Sequence, residues 1–347
     1  TMNKIITIIF SLFILLSCND DDIDYGQIID EPYQLETPSY FPKITFDTDK
    51  YPLTKNGVEL GKKLFYEGRL SRNNTISCAF CHIQENAFTH HGHPVSHGID
   101  DRLGIRNAPP IQNLAFLNRF MWDGVIHDLA QQPISPITAE EEMDTTFPEI
   151  IKKLSSDSSY RKMFKNAFGD DKIDANRILS ALGQFMASVV SKDSKYDQYL
   201  RKEADLNETE KKGLQLFQQK CSSCHKGTLF TDESFRNTGM YYNKQYKDGG
   251  LYRVTLDSTD FMKFRVPSLR NIEMTKPYMH DGRFYSLEAV LNFYSEGVQN
   301  DKYLDSQLKQ NNRIGIPMTE EEKKAIISFL KTLTDYSFIN NPAYAEF

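Results

Sequence analysis

Residues 221–225 read CSSCH, and residues 78–82 read CAFCH. The chain of 347 residues has five cysteines, and these two strings hold four of them, Cys78, Cys81, Cys221 and Cys224. With this composition a single CxxCH arises by chance roughly two times in a thousand and a pair roughly once in a million. The pair therefore carries meaning, and what it holds decides the fold. A redox dithiol needs only CxxC and gives no role to the histidine that follows. A Cys₄ zinc site, the alternative, would take two thiolates from each string and would also leave His82 and His225 without a task. Covalent attachment of c-type haem uses all three residues: two thiols bond the haem, and the adjacent histidine is delivered to the iron. Two such haems are expected, one on His82 and one on His225.

The text around the strings repeats. GKKLF (61–65) precedes the first and GLQLF (213–217) the second, and each string is followed later by an amphipathic helix pattern. DANRILSALGQFMASVV places Ile178, Leu182, Phe185, Met186 and Val189 on one face. TEEEKKAIISFLKTL places Ile326, Ile327, Leu330 and Leu333 on one face, with a capping box at Thr319 and Glu322, and Asn207 with Glu210 signals the start of the helix before CSSCH. Strand signals are few. The expected fold is mainly α: two cytochrome c-like domains in tandem, each binding one covalent c-type haem, with long loops. The domains are placed at 53–205 and 206–347, with the boundary in the polar stretch KEADLN.

Ahead of these, MNKIITIIFSLFILLSC (2–18) has one basic residue, Lys4, and an apolar run of 12 residues from Ile5 to Leu16. That is too short for a membrane span of about 20 residues and suits a signal peptide. The string LLSC resembles a bacterial lipoprotein box, which makes 1–18 a lipoprotein-type signal and Cys18 the lipidation site. An acyl anchor would hold the protein at a membrane without spanning it. Residues 19–52, opening with NDDDID, read as a flexible acidic tether, with folding beginning near Leu53. The expected location is outside the cytoplasm: the periplasm, or the outer membrane as a lipoprotein. A net charge of −6 leaves no basic stripe for nucleic acid.

Five further motifs lie in order around the two strings: RNAP (106–109), WDG (122–124), PITAEEEM (136–143), VPSLRN (266–271) and PYMHDG (277–282). In them the chain resembles the dihaem bacterial cytochrome c peroxidases and their relative MauG, over about residues 50–335. The resemblance implies that the His82 haem is peroxidatic, with Glu142 as the distal acid–base and Gln132 lining the same pocket. It implies a distal histidine that blocks this iron until the other haem is reduced, for which His97 is the best match. The His225 haem is the electron-entry site. Its sixth ligand is a methionine in the peroxidases, but the matching position here is Tyr294, as in MauG, and a phenolate favours the ferric iron. Further expectations from the resemblance are a calcium ion between the haems at Asn107 and the carbonyls of Thr275 and Pro277, and His280 and Arg265 near the second haem. Trp122, the only tryptophan, would lie between the two.

The resemblance thus implies an oxidoreductase that reduces hydrogen peroxide to water with electrons from a small donor protein, a cytochrome c or cupredoxin. One alternative is a MauG-like oxidase that holds two oxidising equivalents across both haems and acts on a protein or organic substrate. The other is a dihaem electron carrier without catalysis. Members of the family are often homodimers.

Overall fold

The computed structural model describes residues 30–310 and 312–346. The signal segment with Cys18, and residues 19–29 after it, lie outside the described residues. The chain is mainly helical. Its α-helices are α1 (Lys55–Phe65), α2 (Cys78–Cys81), α3 (Ile134–Thr138), α4 (Phe147–Ser155), α5 (Ser158–Phe168), α6 (Ala175–Ser188), α7 (Lys195–Leu200), α8 (Glu208–Lys220), α9 (Tyr252–Thr255), α10 (Leu287–Asn292), α11 (Glu320–Lys331) and α12 (Tyr336–Ile339). The sheet content is two short antiparallel pairs, β1 (Phe235–Asn237) with β2 (Lys263–Arg265) and β3 (Lys309–Gln310) with β4 (Arg313–Ile314). No helix among the described residues is long and apolar enough to cross a membrane.

The long helices start where side chains can satisfy their free N–H groups. Thr54 accepts from Gly57 on α1 and Asp174 from Arg177 on α6. Asn207 with Glu210 on α8, and Thr319 with Glu322 on α11, form the capping boxes read from the sequence.

Two helix pairs organise the packing, α1 on α6 and α8 on α11. Both cross at a glycine. A Cβ on Gly61 would collide with the carbonyl of Ala181 and lie 2.8 Å from Phe185 Cβ. A Cβ on Gly213 would collide with the carbonyl of Ala325 and lie 2.8 Å from Phe329 Cβ. That explains why GKKLF and GLQLF share their glycine. The phenylalanine closing each string then meets the opposite helix, Phe65 at 5.1 Å from Phe185 and Phe217 at 5.2 Å from Phe329. Each buried Phe, Leu or Ile in these seams contributes about 1.5–3 kcal/mol of hydrophobic stabilisation.

The repeat extends into the loops. Asn113 N–H donates to the Val189 carbonyl at 2.9 Å, and its Oδ1 accepts Ser191 N–H at 2.7 Å. Asn271 does the same with Leu333 at 3.0 Å and Asp335 at 2.7 Å. Both asparagines sit in the left-handed region, at φ 56° and 55°. The two loops meet each other: Gln112 Nε2 donates to the Arg270 carbonyl at 2.7 Å, and Asn271 Nδ2 donates to Ser191 Oγ at 3.0 Å. Arg270 also makes a two-pronged ion pair with Asp197, at 2.7 and 2.8 Å, with side-chain exposures of 1% and 0%.

One expectation is corrected. Residues 30–52 are not a tether: Phe41, Phe46 and Tyr51 are buried in the main core, and Thr45 Oγ1 donates to the carbonyls of Ala115 (3.1 Å) and Leu117 (2.7 Å). Tyr40 Oη reaches Asp197 at 3.2 Å. The segment has no helical or strand period, but its spaced aromatics bury individually, and that holds it.

Candidate active site: two CxxCH centres

Each CxxCH string folds as one tight turn after its glycine-bearing helix. In the first, His82 N–H donates to the Cys78 carbonyl at 3.0 Å; in the second, His225 N–H donates to Cys221 at 3.0 Å. All four cysteines are free. Burial pushes the thiols of Cys78, Cys81 and Cys221 up to about 12, and that of Cys224 up as well. A working redox dithiol has its thiolate favoured instead. Among the described residues no group of three or more His, Cys, Asp or Glu is arranged to hold a metal ion, so the two strings do not assemble a zinc site.

Both histidines are oriented the same way. The Nδ1–H of His82 donates to the Phe88 carbonyl at 2.8 Å, and that of His225 to the Phe230 carbonyl at 2.9 Å. This hydrogen bond selects the tautomer and leaves Nε2 as a bare donor for a metal. Burial lowers His82 to about 4 and His225 in the same direction, so both imidazoles are neutral at pH 7. Among the described residues, four buried side-chain polar atoms lack a hydrogen-bond partner: His90 Nδ1, His97 Nδ1, Arg265 Nη1 and His280 Nδ1. Such groups are costly unless another molecule satisfies them. The residues thus fit two covalently held haems, one per string.

The surroundings differ. Near the first string, PITAEEEM turns back on itself, with the Glu142 carbonyl accepting Ile99 N–H at 2.8 Å. Gly98 permits this approach, since a Cβ there would lie 2.5 Å from Glu142 Cα. Glu140 and Glu141 face solvent, whereas Glu142 turns inward. Burial raises its carboxyl above the usual range, Ser96 opposes the rise by hydrogen bonding, and Glu141 adds to it. Its charge is felt by Cys78 and Cys81, so the carboxyl is near the first string.

The His97 carbonyl lies 3.6 Å from Cys81 Sγ, but its Nε2 pairs with Asp101 at 3.1 Å. Its ring stacks on His93 at 5.4 Å, which stacks on His90 at 4.2 Å. His90 is a further histidine of this loop that no sequence motif singles out. It is 5% exposed, and burial lowers it to about 4, helped by His93, His82 and His97. Only the folded loop reveals this, since nothing in FTHHGHPVSHG marks which histidine turns inward.

Gln132 Nε2 points to Met121 Sδ at 3.4 Å. The next residue, Trp122, donates from Nε1 to the Asn107 carbonyl at 2.9 Å, and its own carbonyl accepts Arg265 N–H at 2.9 Å. Asn107 N–H donates to the His280 carbonyl at 2.7 Å, and its side-chain amide donates to the carbonyls of His93 and Pro94, both at 3.2 Å. Trp122 and Asn107 therefore bridge the loops of both centres. Thr275 Oγ1 donates to the Ile272 carbonyl at 3.3 Å, and Pro277 follows at the head of the His280 turn. Sequence reasoning also missed Arg106, which grips Asp248 at 2.6 and 2.8 Å and Asp123 at 2.6 Å and so ties the same loops together.

Around the second centre the lining is apolar. Tyr294 packs against a cluster that includes Met240, Met262, Phe264 and Phe293, its ring 5.3 Å from that of Phe293. It sits in a single π-helical turn, Phe293–Gly297, continuing α10, and its carbonyl accepts Ile316 N–H at 2.7 Å. Turns of this kind recur at functional sites. Burial raises the phenol well above its ordinary range, and the thiols of Cys224 and Cys221 add to the rise, so the ring faces the second string. His280 stacks on Phe264 at 3.7 Å, and burial lowers it to about 4. Burial also lowers Arg265, with Glu233 in opposition. A buried guanidinium with a free N–H suits an anionic group such as a haem propionate.

Comparison with known proteins agrees with this arrangement. The family described as di-haem cytochrome c peroxidase matches residues 55–205. The chain is 35% identical over 294 residues to the methylamine utilization protein MauG of Methylorubrum extorquens, covering 81% of this chain and 79% of that one. It is 33% identical over 292 residues to the cytochrome c551 peroxidase of Nitrosomonas europaea, covering 82% and 81%. Among solved structures, a MauG-like protein associated with microbial copper homeostasis superimposes with a TM-score of 0.82 at 34% identity, covering 90% of this chain and 99% of that one. The diheme peroxidase BthA from Burkholderia thailandensis has the same fold, with a TM-score of 0.71 at 22% identity, covering 91% and 93%.

Proposed function

The chain belongs to the di-haem cytochrome c peroxidase and MauG family of oxidoreductases, and from that premise we propose that it reduces hydrogen peroxide to water at the His82 centre with electrons entering at the His225 centre. Residues 53–205 and 206–347 would be the two cytochrome c-like domains. The single observation that supports the reading is Glu142, half-buried beside the exposed Glu140 and Glu141, near enough to Cys78 and Cys81 for its charge to act on them, and with its carboxyl pK raised.

Two c-type haems, held by Cys78, Cys81 and His82 and by Cys221, Cys224 and His225, would supply the one-electron redox chemistry when bound. The Glu142 carboxylate would accept a proton from one peroxide oxygen and return it to the other, which would leave as water. Overall, one peroxide, two electrons and two protons give two waters. Burial keeps this carboxyl closer to the working pH, where such transfer is most effective. Arg265 and His280 would hold haem carboxylates, Gln132 would line the Glu142 pocket, Trp122 would lie between the centres, and Asn107, Thr275 and Pro277 would bind calcium. His97, with Nε2 held by Asp101 at 3.1 Å, would stand beside the first centre as the candidate distal ligand. An exported location, the Cys18 anchor, a small donor protein and a homodimer complete the proposal.

The test is peroxide consumption by the haem-loaded protein with reduced cytochrome c or cupredoxin as donor. Turnover supports the reading, and failure with every donor contradicts it. Tyr294 favours a second reading, a MauG-like oxidase, because an anionic hard ligand stabilises oxidised iron. Full oxidation of an organic substrate by a Tyr294→Met variant would count against that reading.

A further inference from the structure

The carbonyls that orient His82 and His225 belong to two phenylalanines, Phe88 and Phe230, in an unusual conformation. Both have positive φ, 58° and 56°, and both are buried. A bulky residue stays in the left-handed region only when its surroundings hold it there. Part of that hold comes from its own half: Phe65 lies 5.9 Å from Phe88, and Phe217 lies 5.7 Å from Phe230.

The rest comes from the other half. Phe88 is covered by Phe338 at 5.7 Å and Tyr344 at 6.4 Å, which follow α11. Phe230 is covered by Tyr196 of α7 at 5.5 Å, which follows α6. Both trailing segments are anchored where they arrive. Gln84 Nε2 donates to the Asn341 carbonyl at 2.8 Å, Tyr66 Oη to the Tyr344 carbonyl at 2.8 Å, and Tyr344 Oη to the Ser188 carbonyl at 3.1 Å. On the other side Tyr196 N–H donates to the Thr332 carbonyl at 3.0 Å, Asp197 pairs with Arg270, and Lys195 pairs with Glu210 at 2.7 Å. The exchange is reciprocal: the segment after each closing helix finishes the histidine-orienting turn of the opposite half.

We infer that Phe338 and Tyr344 are positioning residues for His82, and Tyr196 for His225, so that each centre is completed by the half that carries the other. The inference rests on the assignment of one haem to each histidine. A carbonyl acceptor at Nδ1 strengthens the imidazole as a donor and so favours ferric iron. Loosening the phenylalanine should weaken that bond and make the opposite half's haem easier to reduce.

The experiment uses the full chain with both haems loaded. Phe338→Ala, Tyr344→Ala and Tyr196→Ala are compared by haem-resolved redox titration and by the paramagnetically shifted Nδ1–H signal of each histidine. Phe338→Ala or Tyr344→Ala is expected to move the ferric/ferrous ratio of the His82 haem at fixed potential roughly fivefold toward reduced, the worth of about one hydrogen bond, and to leave the His225 haem unmoved. Tyr196→Ala is expected to do the converse. Phe338→Leu keeps most of the buried volume and gives a folded protein with a smaller shift in the same haem. The haem count of each preparation is read first. Fewer than two covalent haems contradicts the assignment and the inference with it. Two haems whose potentials stay unmoved, or move together, contradict the exchange alone.

Discussion

The two CxxCH centres are nearly the same molecule on one side and different molecules on the other. On the histidine side the correspondence is residue by residue: Gly61 with Gly213, Phe65 with Phe217, Phe185 with Phe329, Phe88 with Phe230, Asn113 with Asn271. On the facing side, Glu142 and a stack of histidines lie by the first centre, while Tyr294 and a cluster of methionines and phenylalanines lie by the second. A repeated scaffold solves the attachment problem once. The chemistry is then set by the side that is not repeated.

The largest expected effect falls on that unrepeated side. Glu142→Gln keeps the shape and removes the proton carrier, and peroxide turnover should fall by roughly 10²–10⁴, measured at saturating donor. An unchanged rate would dissolve the functional difference between the centres.

The next tests the join between the halves. Arg270 and Gln112 occupy equivalent places, yet only Arg270 carries a charge, paired with the buried Asp197. Asp197→Ala strands that guanidinium and should cost about 3–5 kcal/mol in denaturant unfolding, whereas Gln112→Ala should cost about 2 kcal/mol, the worth of its two hydrogen bonds, to the Arg270 carbonyl and from Asn271 Nδ2.

The repeat itself predicts equality. Gly61→Ala and Gly213→Ala each drive a methyl into a backbone carbonyl and should destabilise by about 1–3 kcal/mol. Costs that differ widely would mean that the two helix crossings are alike only in outline.

The smallest effect is a shift on the pH axis. The ionised form of Glu142 takes the peroxide proton, so activity is lost as pH falls through its raised pK. The Ser96 hydroxyl donates to the ionised form and opposes that rise. Ser96→Ala therefore raises the pK further and moves the acid limb of the rate profile to higher pH, with the alkaline plateau kept.

Much of the repeated side was legible in the sequence, because local signals write it: CxxCH, capping boxes, the 3.6-residue period of α6 and α11, and a glycine in matching strings. Glu142 and Tyr294 could be singled out only through the family motifs around them. The remainder depends on contacts that leave no local trace. Residues 30–52 look like a tether until Phe41, Phe46 and Tyr51 find the core. The hydrogen bond from Gln84 to Asn341 joins residues at opposite ends of the folded chain. His90 turned inward while His91 stayed exposed, and no periodicity separates neighbouring loop histidines.

In the proposed reading an exogenous ligand reaches the His82 centre while Tyr294 holds the corresponding place at the His225 centre, and a cyanide titration of the haem-loaded ferric protein tests it. The account predicts one cyanide bound per chain, rising to two in Tyr294→Ala. Two equivalents bound by the unaltered protein, or none, would contradict it.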